Sequence, residues 1–403
     1  MKVLLIGSGG REHAIGWKLA QSSRVDELIS LPGNPGLSQL GPVVEGISIN
    51  DVGAISAMAR IQGVDLVVVG PEAPLAAGLG DALDRLRIPV FGPTRAAAML
   101  ESSKAFAKDI MRRAGVPTGA SATFSTAEGA ARHIDGEDGP YVVKADGLAG
   151  GKGVLVTDSR DEAKAWAARW IGAGPVVVEE HLDGPEVSVF AVCTDRGAVA
   201  LQPARDYKRL LAGDEGPNTG GMGSFSPVPD LPDDLVPWTM AEVVQPVLGQ
   251  MQEAELPFRG FLYTGLALTS EGPKVLEFNV RLGDPETQAV LPRMTSDLLD
   301  VLEGAEPEWS ETHTVTVVLA ADGYPEVPVK GALISGLGRD LPEGVMVFHA
   351  GTRSESGRLV VDGGRVLNVV GSGPDITTAR NRAYDAVGRI SWPGMQFRSD
   401  IAT

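Results

Sequence analysis

Over the first hundred residues, apolar side chains fall into short blocks separated by amphipathic stretches. Lys2 to Ile6, Glu27 to Leu31, Asp65 to Val69 and Pro89 to Phe91 each read as a strand. An unbroken apolar run leaves no polar side for water, so these strands are expected to be covered on both faces. Each block stops at glycine or proline: Gly7, Gly9 and Gly10, then Pro32-Gly33-Asn34-Pro35-Gly36, Gly70-Pro71 and Gly92-Pro93. A helical pattern runs from Glu12 to about Gln21. Strands alternating with helices predict a doubly wound parallel sheet, with a ligand crevice beyond the carboxyl ends of the strands, where these turns fall.

Past a helical stretch at Ser103–Ala114 the pattern changes. Tyr141–Ala145, Gly153–Thr157, Val176–His181 and Glu186–Thr194 predict strands, with a helix at Arg160–Ile171. Arg205 to Pro229 is rich in Gly, Pro, Asp and Asn and reads as a long loop of the kind that carries function. A helix from about Asp233 to Ala254 leads to strands at Gly260–Thr269 and Lys274–Arg281, joined by Ser270-Glu271-Gly272-Pro273. From Thr312 the pattern is mainly strand-like, with an amphipathic helix near Asp375–Arg389. No internal repeat or low-complexity tail is visible.

Composition narrows the function classes. The 403 residues are 43% hydrophobic and 22% charged, which fits a folded chain of about two to four domains. Against 35 Lys and Arg stand 52 Asp and Glu, a net charge of −17. That balance argues against nonspecific nucleic-acid binding. Small anions stay open, because a local basic pocket or a bound divalent cation reverses the field. The 51 glycines and 28 prolines are too dispersed for a linker and serve turns and close approaches. Cys193 is alone, which excludes an intrachain disulfide and fits a cytoplasmic protein. No apolar run reaches membrane-spanning length, and the opening MKVLLIGSGG is too short and glycine-bounded for a signal peptide.

Four constellations carry candidate chemistry. Gly7-Ser8-Gly9-Gly10, between strand and helix, aims backbone N–H groups at an anion. A dinucleotide site would want glycine where Glu12 stands and an acid where Leu31 and Pro32 stand. A phosphate on a smaller ligand, with Arg11 beside it, fits better; a tight turn that binds nothing fits the turn equally well. Lys144-Ala145-Asp146-Gly147-Leu148-Ala149-Gly150-Gly151-Lys152-Gly153 sets two lysines around a glycine run, suited to closing over polyphosphate. It departs from the P-loop because Gly, not Ser or Thr, follows Gly-Lys, and a hairpin with solvated lysines is the plain alternative. Val176 to Leu182 ends in Glu179 and Glu180, offering backbone to a flat base and carboxylate to a ribose hydroxyl, with Glu186 close behind. Many strands simply end in solvated glutamates.

Lys274 to Thr287 is the densest site. Glu277, Asn279 and Arg281 share one face by the strand period of two, while Phe278 and Val280 point to the core. Carboxylate and amide oxygens suit Mg²⁺ held together with substrate phosphates, and a guanidinium suits a carboxylate or phosphate. The continuation Gly283-Asp284-Pro285-Glu286-Thr287 weighs against a merely solvated edge strand. His13, His133, His181, His313 and His349 show no metal-ligand spacing. Cys193 reads as core, and the Gly-x-Ser-x-Gly elbow is absent.

Together these segments resemble the ATP-grasp superfamily and, within it, the phosphoribosylamine–glycine ligase family of purine biosynthesis. The resemblance is carried by Gly7-Ser8-Gly9-Gly10-Arg11-Glu12-His13, Pro32-Gly33-Asn34, Val69 to Leu75, Ser103-Lys104 and Lys144 to Leu148. Gly216-Pro217-Asn218-Thr219-Gly220-Gly221-Met222-Gly223 and Glu277 to Thr287 follow in family order, then His349-Ala350-Gly351-Thr352 and Asn368-Val369. Where the family commonly has Gln-Asp-His-Lys-Arg, this chain has Arg205-Asp206-Tyr207-Lys208-Arg209. It is also short around Gly172–Pro175 and Glu303–Thr312, which predicts trimmed surface turns.

The resemblance implies an α/β and α+β multidomain chain: an N-terminal doubly wound parallel sheet over 1–101, a central ATP-grasp fold over 102–308 with a mobile lid near 118–182, and a small, mainly β domain over 309–403. It implies ATP-dependent ligation of glycine to 5-phosphoribosylamine through a glycyl phosphate, with Mg²⁺ or Mn²⁺. Lys104, Lys144 and Lys152 match positions at the ATP phosphates or the lid, and Glu179, Glu180, Leu182 and Glu186 the adenosine site. Glu277 and Asn279 match the metal ligands, and Arg281 steadies the transferring phosphate or the glycine carboxylate. Gly9, Gly10, Arg11, Asn34, Pro71 and Glu72 receive phosphoribosylamine. Thr219, Gly220, Gly221, Met222 and Asp284 lie where the substrates meet, and Asp206 joins Arg281 and Asp284 as a catalytic group. A cytoplasmic monomer acting on small molecules, with neither nucleic acid nor membrane as partner, completes the expectation. Another ATP-grasp carboxylate–amine ligase would share the ATP residues. A non-catalytic nucleotide-binding regulator would be expected to lack Glu277, Asn279 or Arg281.

Overall fold

In the computed structural model, which describes residues 1–148, 153–338 and 341–403, the four N-terminal apolar blocks form one parallel sheet. Its order is Glu27–Pro32, Lys2–Gly7, Leu66–Val69, Val90–Phe91. Val3, Leu4, Leu5 and Ile6 are fully buried, as strands covered on both faces require. The first helix is Gly10–Leu19, two residues earlier at each end than its apolar pattern. Glu12 reaches back to accept the Gly9 N–H at 2.6 Å, which starts the helix directly after the turn.

An antiparallel sheet of Gly197–Ala200, Glu186–Thr194, Gly260–Thr269 and Gly272–Asn279 forms the middle of the molecule. Phe91 meets Phe261 edge to face, ring centres 4.7 Å apart, so one apolar core joins it to the parallel sheet. The last strand begins and ends two residues earlier than expected. Thr269 pairs with Gly272, leaving only Ser270 and Glu271 to turn, and Arg281 lies just past the strand end. The helical run before this sheet is Leu235–Thr239, Met240–Val244 and Gln245–Glu253. Its middle turn widens to a π-helical one beside Pro246, which has no N–H to continue the ladder.

Residues 121–179 make a separate layer. Ser121–Phe124, Val176–Glu179, Tyr141–Ala145 and Val154–Thr157 pair antiparallel in that order. Helices Ala127–Asp135 and Arg160–Ile171 back them around their own core of Ile134, Tyr141, Val143, Val176 and Val178. The strand Val176–Glu179 stops before Glu180 and His181, which the sequence had suggested as strand.

A five-stranded sheet corrects the reading of Arg205 to Pro229 as a loop. It runs Arg205–Asp206, Gly223–Ser226, His313–Ala320, Arg365–Gly373, Val345–His349, with helix Ile376–Val387 packed against it. Two strands of that segment therefore belong to the C-terminal sheet, and Arg209–Leu211 with Glu215–Asn218 forms a small hairpin between them. Their partners lie far along the chain, so local composition hides the pairing. Among the described residues, no helix is long and apolar enough to cross a membrane.

Candidate active site

The parallel-sheet crevice, the start of helix Lys104–Ala114, the separate layer and the strand Gly272–Asn279 surround one cavity of about 540 Å³. Glu277, Asn279 and Arg281 line it and Val280 is core at 2% exposure, but Phe278, equally buried, also borders the cavity, so the expected alternation of faces holds only in part. Burial works against ionising Glu277, but Lys144, Lys208, Lys104 and Arg281 outweigh it and hold its pKa below the ordinary value. Asn279 Oδ1 accepts from Arg281 Nη2 at 3.1 Å. An ionised carboxylate and an amide oxygen on one wall fit a divalent cation that takes its other ligands from phosphates. Among the described residues no group of three or more His, Cys, Asp or Glu is placed to hold a metal alone.

Arg281 is held from several sides. Its Nε donates to Glu72 at 3.4 Å and its Nη1 to the Leu282 carbonyl at 3.3 Å, and Glu101 pairs with Nη2 at 3.0 Å. Glu101 also accepts the Val280 N–H at 2.7 Å, fixing the chain on both sides of the guanidinium. Burial, against the pull of Arg281, pushes Glu101 up to about 7. Glu72 is half-buried, and although desolvation opposes its ionisation, Arg281 and Arg11 keep it below the usual carboxylate value.

Three lysines and Glu179 occupy the opposite wall. Lys144 pairs with Glu179 at 2.6 Å and donates to the Leu276 carbonyl at 3.3 Å; Lys108, unmarked in the sequence, also pairs with Glu179. The Glu179 carboxylate, expected at adenosine, is thus spent on lysines. Lys104 donates to the Gly147 carbonyl at 3.0 Å. Ser103 caps its helix and bonds Asp146 at 3.1 Å, so the glycine turn is tied to the helix start. Burial lowers the pKa of Lys104. Glu180 and Leu182 line the same cavity; Lys152 lies outside the described residues.

At the next wall Lys208 donates to Glu186 at 2.5 Å and Asp206 at 3.0 Å. Despite burial, Asp206, Tyr263 and Glu186 raise its pKa well above the ordinary value. Glu286 stands behind, accepting from Ser188 Oγ at 3.3 Å. Burial and then Asp206 push it up to about 7. The two departures from the family pattern face elsewhere. Arg205 pairs with Asp230 at 3.0 Å, and the Tyr207 hydroxyl accepts the Ala402 N–H at 2.9 Å beneath the Arg398 guanidinium.

At the first turn, space explains the glycines. A Cβ at Gly7 or Gly70 would stand 2.3 Å from Glu12 Cγ, so Glu12 fills the volume that a dinucleotide fold keeps open. Arg11 lines the cavity, its Nε on Glu12 at 2.6 Å and its Nη1 on the Leu282 carbonyl at 3.0 Å. Gly9, Gly10, Asn34 and Pro71 are not among the cavity-lining residues, whereas Glu72 is. Asn34 donates to the Ser8 and His349 carbonyls and accepts from Gly36 and Leu37, each at 2.9 Å. His13 accepts the His349 N–H at 2.8 Å. Burial lowers both imidazoles, to about 3 and about 4, and they join the first and last domains as neutral rings.

Thr219, Gly220 and Asp284 line the cavity; Gly221 and Met222 sit behind them, Met222 fully buried. Burial opposes ionisation of Asp284, but Arg365 and Arg11 lower its pKa. Arg365 lies in a stretch the sequence did not single out, and it too lines the cavity. Only its position shortly before Asn368-Val369 could have drawn notice to it.

Residues 1–101 match the family described as phosphoribosylglycinamide synthetase, N domain, residues 102–287 its ATP-grasp (A) domain and residues 314–403 its C domain. Over its full length the chain is 47% identical to the phosphoribosylamine–glycine ligase of Rhizobium meliloti and 48% identical to that of Streptomyces coelicolor, covering 98% and 99% of those proteins. It is similar to the crystal structure of the Thermotoga maritima phosphoribosylamine–glycine ligase. That match is 36% identical with a TM-score of 0.87, over 99% of this chain and 100% of that one. A biotin carboxylase domain of Hydrogenobacter thermophilus, solved with MgADP, ADP and bicarbonate, shares the fold at 16% identity. Its TM-score is 0.75 over 98% of this chain and 91% of that one.

Proposed function

The chain belongs to the phosphoribosylglycinamide synthetase family, and from that footing we propose how its own residues divide the reaction. It is a C–N ligase that uses ATP to join glycine to phosphoribosylamine in purine biosynthesis. The observation that carries the assignment of roles is the wall of Glu277, Asn279 and Arg281 sharing one cavity with Lys104 and Lys144. Cys193, its thiol pushed up to about 12 by burial, is core and offers no nucleophile. The reaction then rests on positioning and charge neutralisation.

A glycine carboxylate oxygen attacks the γ-phosphorus of ATP, and the bond to ADP breaks. The amine nitrogen of phosphoribosylamine attacks the carbonyl carbon of the resulting glycyl phosphate, and phosphate leaves carrying the nitrogen's proton. Lys104 and Lys144 bind ATP phosphates, and Lys152 joins them from the glycine run. Glu180, Leu182 and Glu186 hold adenosine, with Glu179 holding Lys144 and Lys108 in place. Glu277 and Asn279 would hold Mg²⁺ or Mn²⁺, which would neutralise phosphate charge there. Arg281, kept rigid by Glu72 and Glu101, faces the transferring phosphoryl group. Arg11, Glu72, Thr219, Gly220 and Asp284 receive phosphoribosylamine, with Gly9, Gly10, Asn34, Pro71, Gly221 and Met222 shaping that wall from behind. Asp206 orients Lys208 toward the reacting centre.

We take residues 1–101, 102–308 and 309–403 as the domains, with 118–182 closing as a lid; its separate core supports movement as a unit. We take the chain to act as a monomer and place it in the cytoplasm. Phosphate release from ATP, with glycine and freshly made phosphoribosylamine each omitted in turn, tests the reading. Full release requires both. Release indifferent to phosphoribosylamine, or greater with another amine, rejects the roles assigned to the second substrate.

A further inference from the structure

The Gly220 peptide is held on both sides by side chains from the C-terminal part of the chain. Its N–H donates to the Tyr324 hydroxyl at 2.9 Å, and its carbonyl accepts from Arg365 Nη1 at 2.5 Å. The same nitrogen donates to the Asp284 carbonyl at 2.5 Å, and Nη2 pairs with the Asp284 carboxylate at 3.5 Å. A Cβ on Gly220 would stand 3.0 Å from Arg365 Cζ, so the guanidinium lies close against the glycine backbone. Arg365 opens the strand Arg365–Gly373, opposite a slip in register at Ala320. Such irregularities re-aim side chains.

The other side of this loop is anchored by main chain. Thr219 donates to the Lys208 carbonyl at 2.8 Å and Met222 to that of Tyr207 at 2.7 Å. Between those anchors lie two glycines, and Gly221 has a φ of +110°. Two adjacent glycines leave the loop with much conformational freedom unless its outer peptide is fixed. The Thr219 hydroxyl accepts the Gly221 N–H at 3.0 Å from within the loop, and Arg365 and Tyr324 hold it from outside.

We propose that Arg365 and Tyr324 are positioning residues of the active site: by holding the Gly220 peptide and joining it to Asp284, they complete the wall where glycyl phosphate meets the amine. This rests on the placement of phosphoribosylamine at that loop. Their partners are Gly220, Gly221 and Asp284, not the Lys104, Lys144 and Glu277 group assigned to the nucleotide. Their loss should therefore fall on the second half of the reaction.

The test uses the full chain with Arg365→Met, Arg365→Lys and Tyr324→Phe. Two quantities are read: kcat/KM for phosphoribosylamine, and glycine-dependent scrambling of the β,γ-bridge oxygen of ATP without phosphoribosylamine. For Arg365→Met, kcat/KM for phosphoribosylamine should fall about 10- to 100-fold, while scrambling and the KM for ATP stay within about twofold. Arg365→Lys should recover part of the loss. Tyr324→Phe removes only one acceptor, so it should keep its melting temperature and lose about 3- to 10-fold; it decides the matter if Arg365→Met does not fold. Equal losses in scrambling and ligation, or wild-type behaviour in both, overturn the proposal. Wild-type turnover without phosphoribosylamine would instead overturn the reading on which it rests.

Discussion

Glu286 is 4% exposed, and burial with Asp206 close by pushes it up to about 7. The folded chain therefore holds this proton more tightly than the unfolded chain, where the value is about 4.5. Stability from the group is complete below about pH 4.5 and is lost as the pH rises through about 7. Glu286→Gln should accordingly be more stable than the parent at pH 8 by roughly 1–3 kcal/mol, with the gain gone near pH 4. Urea unfolding at both pH values checks this; identical midpoints at pH 8 would contradict it. Glu277 behaves oppositely, since surrounding cations keep it ionised. Glu277→Gln should bind divalent cation about 10- to 100-fold more weakly in the presence of ATP, read from the metal dependence of turnover, and should be less stable than the parent at neutral pH, the loss fading as the pH falls. Glu277 and Asn279 were legible in the sequence because a strand's period places them on one face, and Arg281, just past the strand end, still lines the same cavity. Glu101 and Arg365 were not, because each acquires its partners only when distant segments meet.

Fully buried strands announce themselves, and for that reason the parallel sheet was readable from four apolar blocks. The strands Arg205–Asp206 and Gly223–Ser226 carry no such mark, being short and set among Gly, Pro, Asp and Asn. What makes them strands is the His313–Ala320 strand, a partner that no local window contains. Ser121–Phe124 was similarly silent, with alternate residues exposed and only four in number. Packing of the late helix on its sheet depends on one missing side chain. A Cβ at Gly371 would fall 2.1 Å from the Ala379 carbonyl oxygen and 2.5 Å from the Ala383 nitrogen, both backbone atoms of Ile376–Val387. Gly371→Ala should thus destabilise the chain by about 2–4 kcal/mol, since a backbone clash cannot be relieved by a rotamer change. Denaturant unfolding measures it, and a loss below 1 kcal/mol would show that the helix shifts freely.

At a net charge of −17 the molecule must still admit phosphates, and the cavity does so without being simply basic. Lys144 faces Glu179, Lys208 faces Asp206 and Glu186, Arg281 faces Glu72 and Glu101, and Arg365 faces Asp284. An arriving polyphosphate competes with these carboxylates unless it brings its own cation. ATP with Mg²⁺ near 100 times its Kd should stabilise the fold by about 2.7 kcal/mol, and ATP with chelator far less. Chelator alone should leave the unliganded melting curve unmoved. Thermal scans under the three conditions check this, and equal shifts with and without Mg²⁺ would contradict it. The shared C-terminal sheet carries one more consequence, in the time taken to make the protein. Ser226 pairs with Thr314, which leaves the ribosome roughly 90 residues later, about 5–20 s at ordinary elongation rates. For that interval the Gly223–Ser226 strand has no neighbour on that edge, and the loop before it waits longer still for Arg365. A nascent chain can thus finish its parallel sheet early, yet it acquires a complete catalytic wall only near the end of translation.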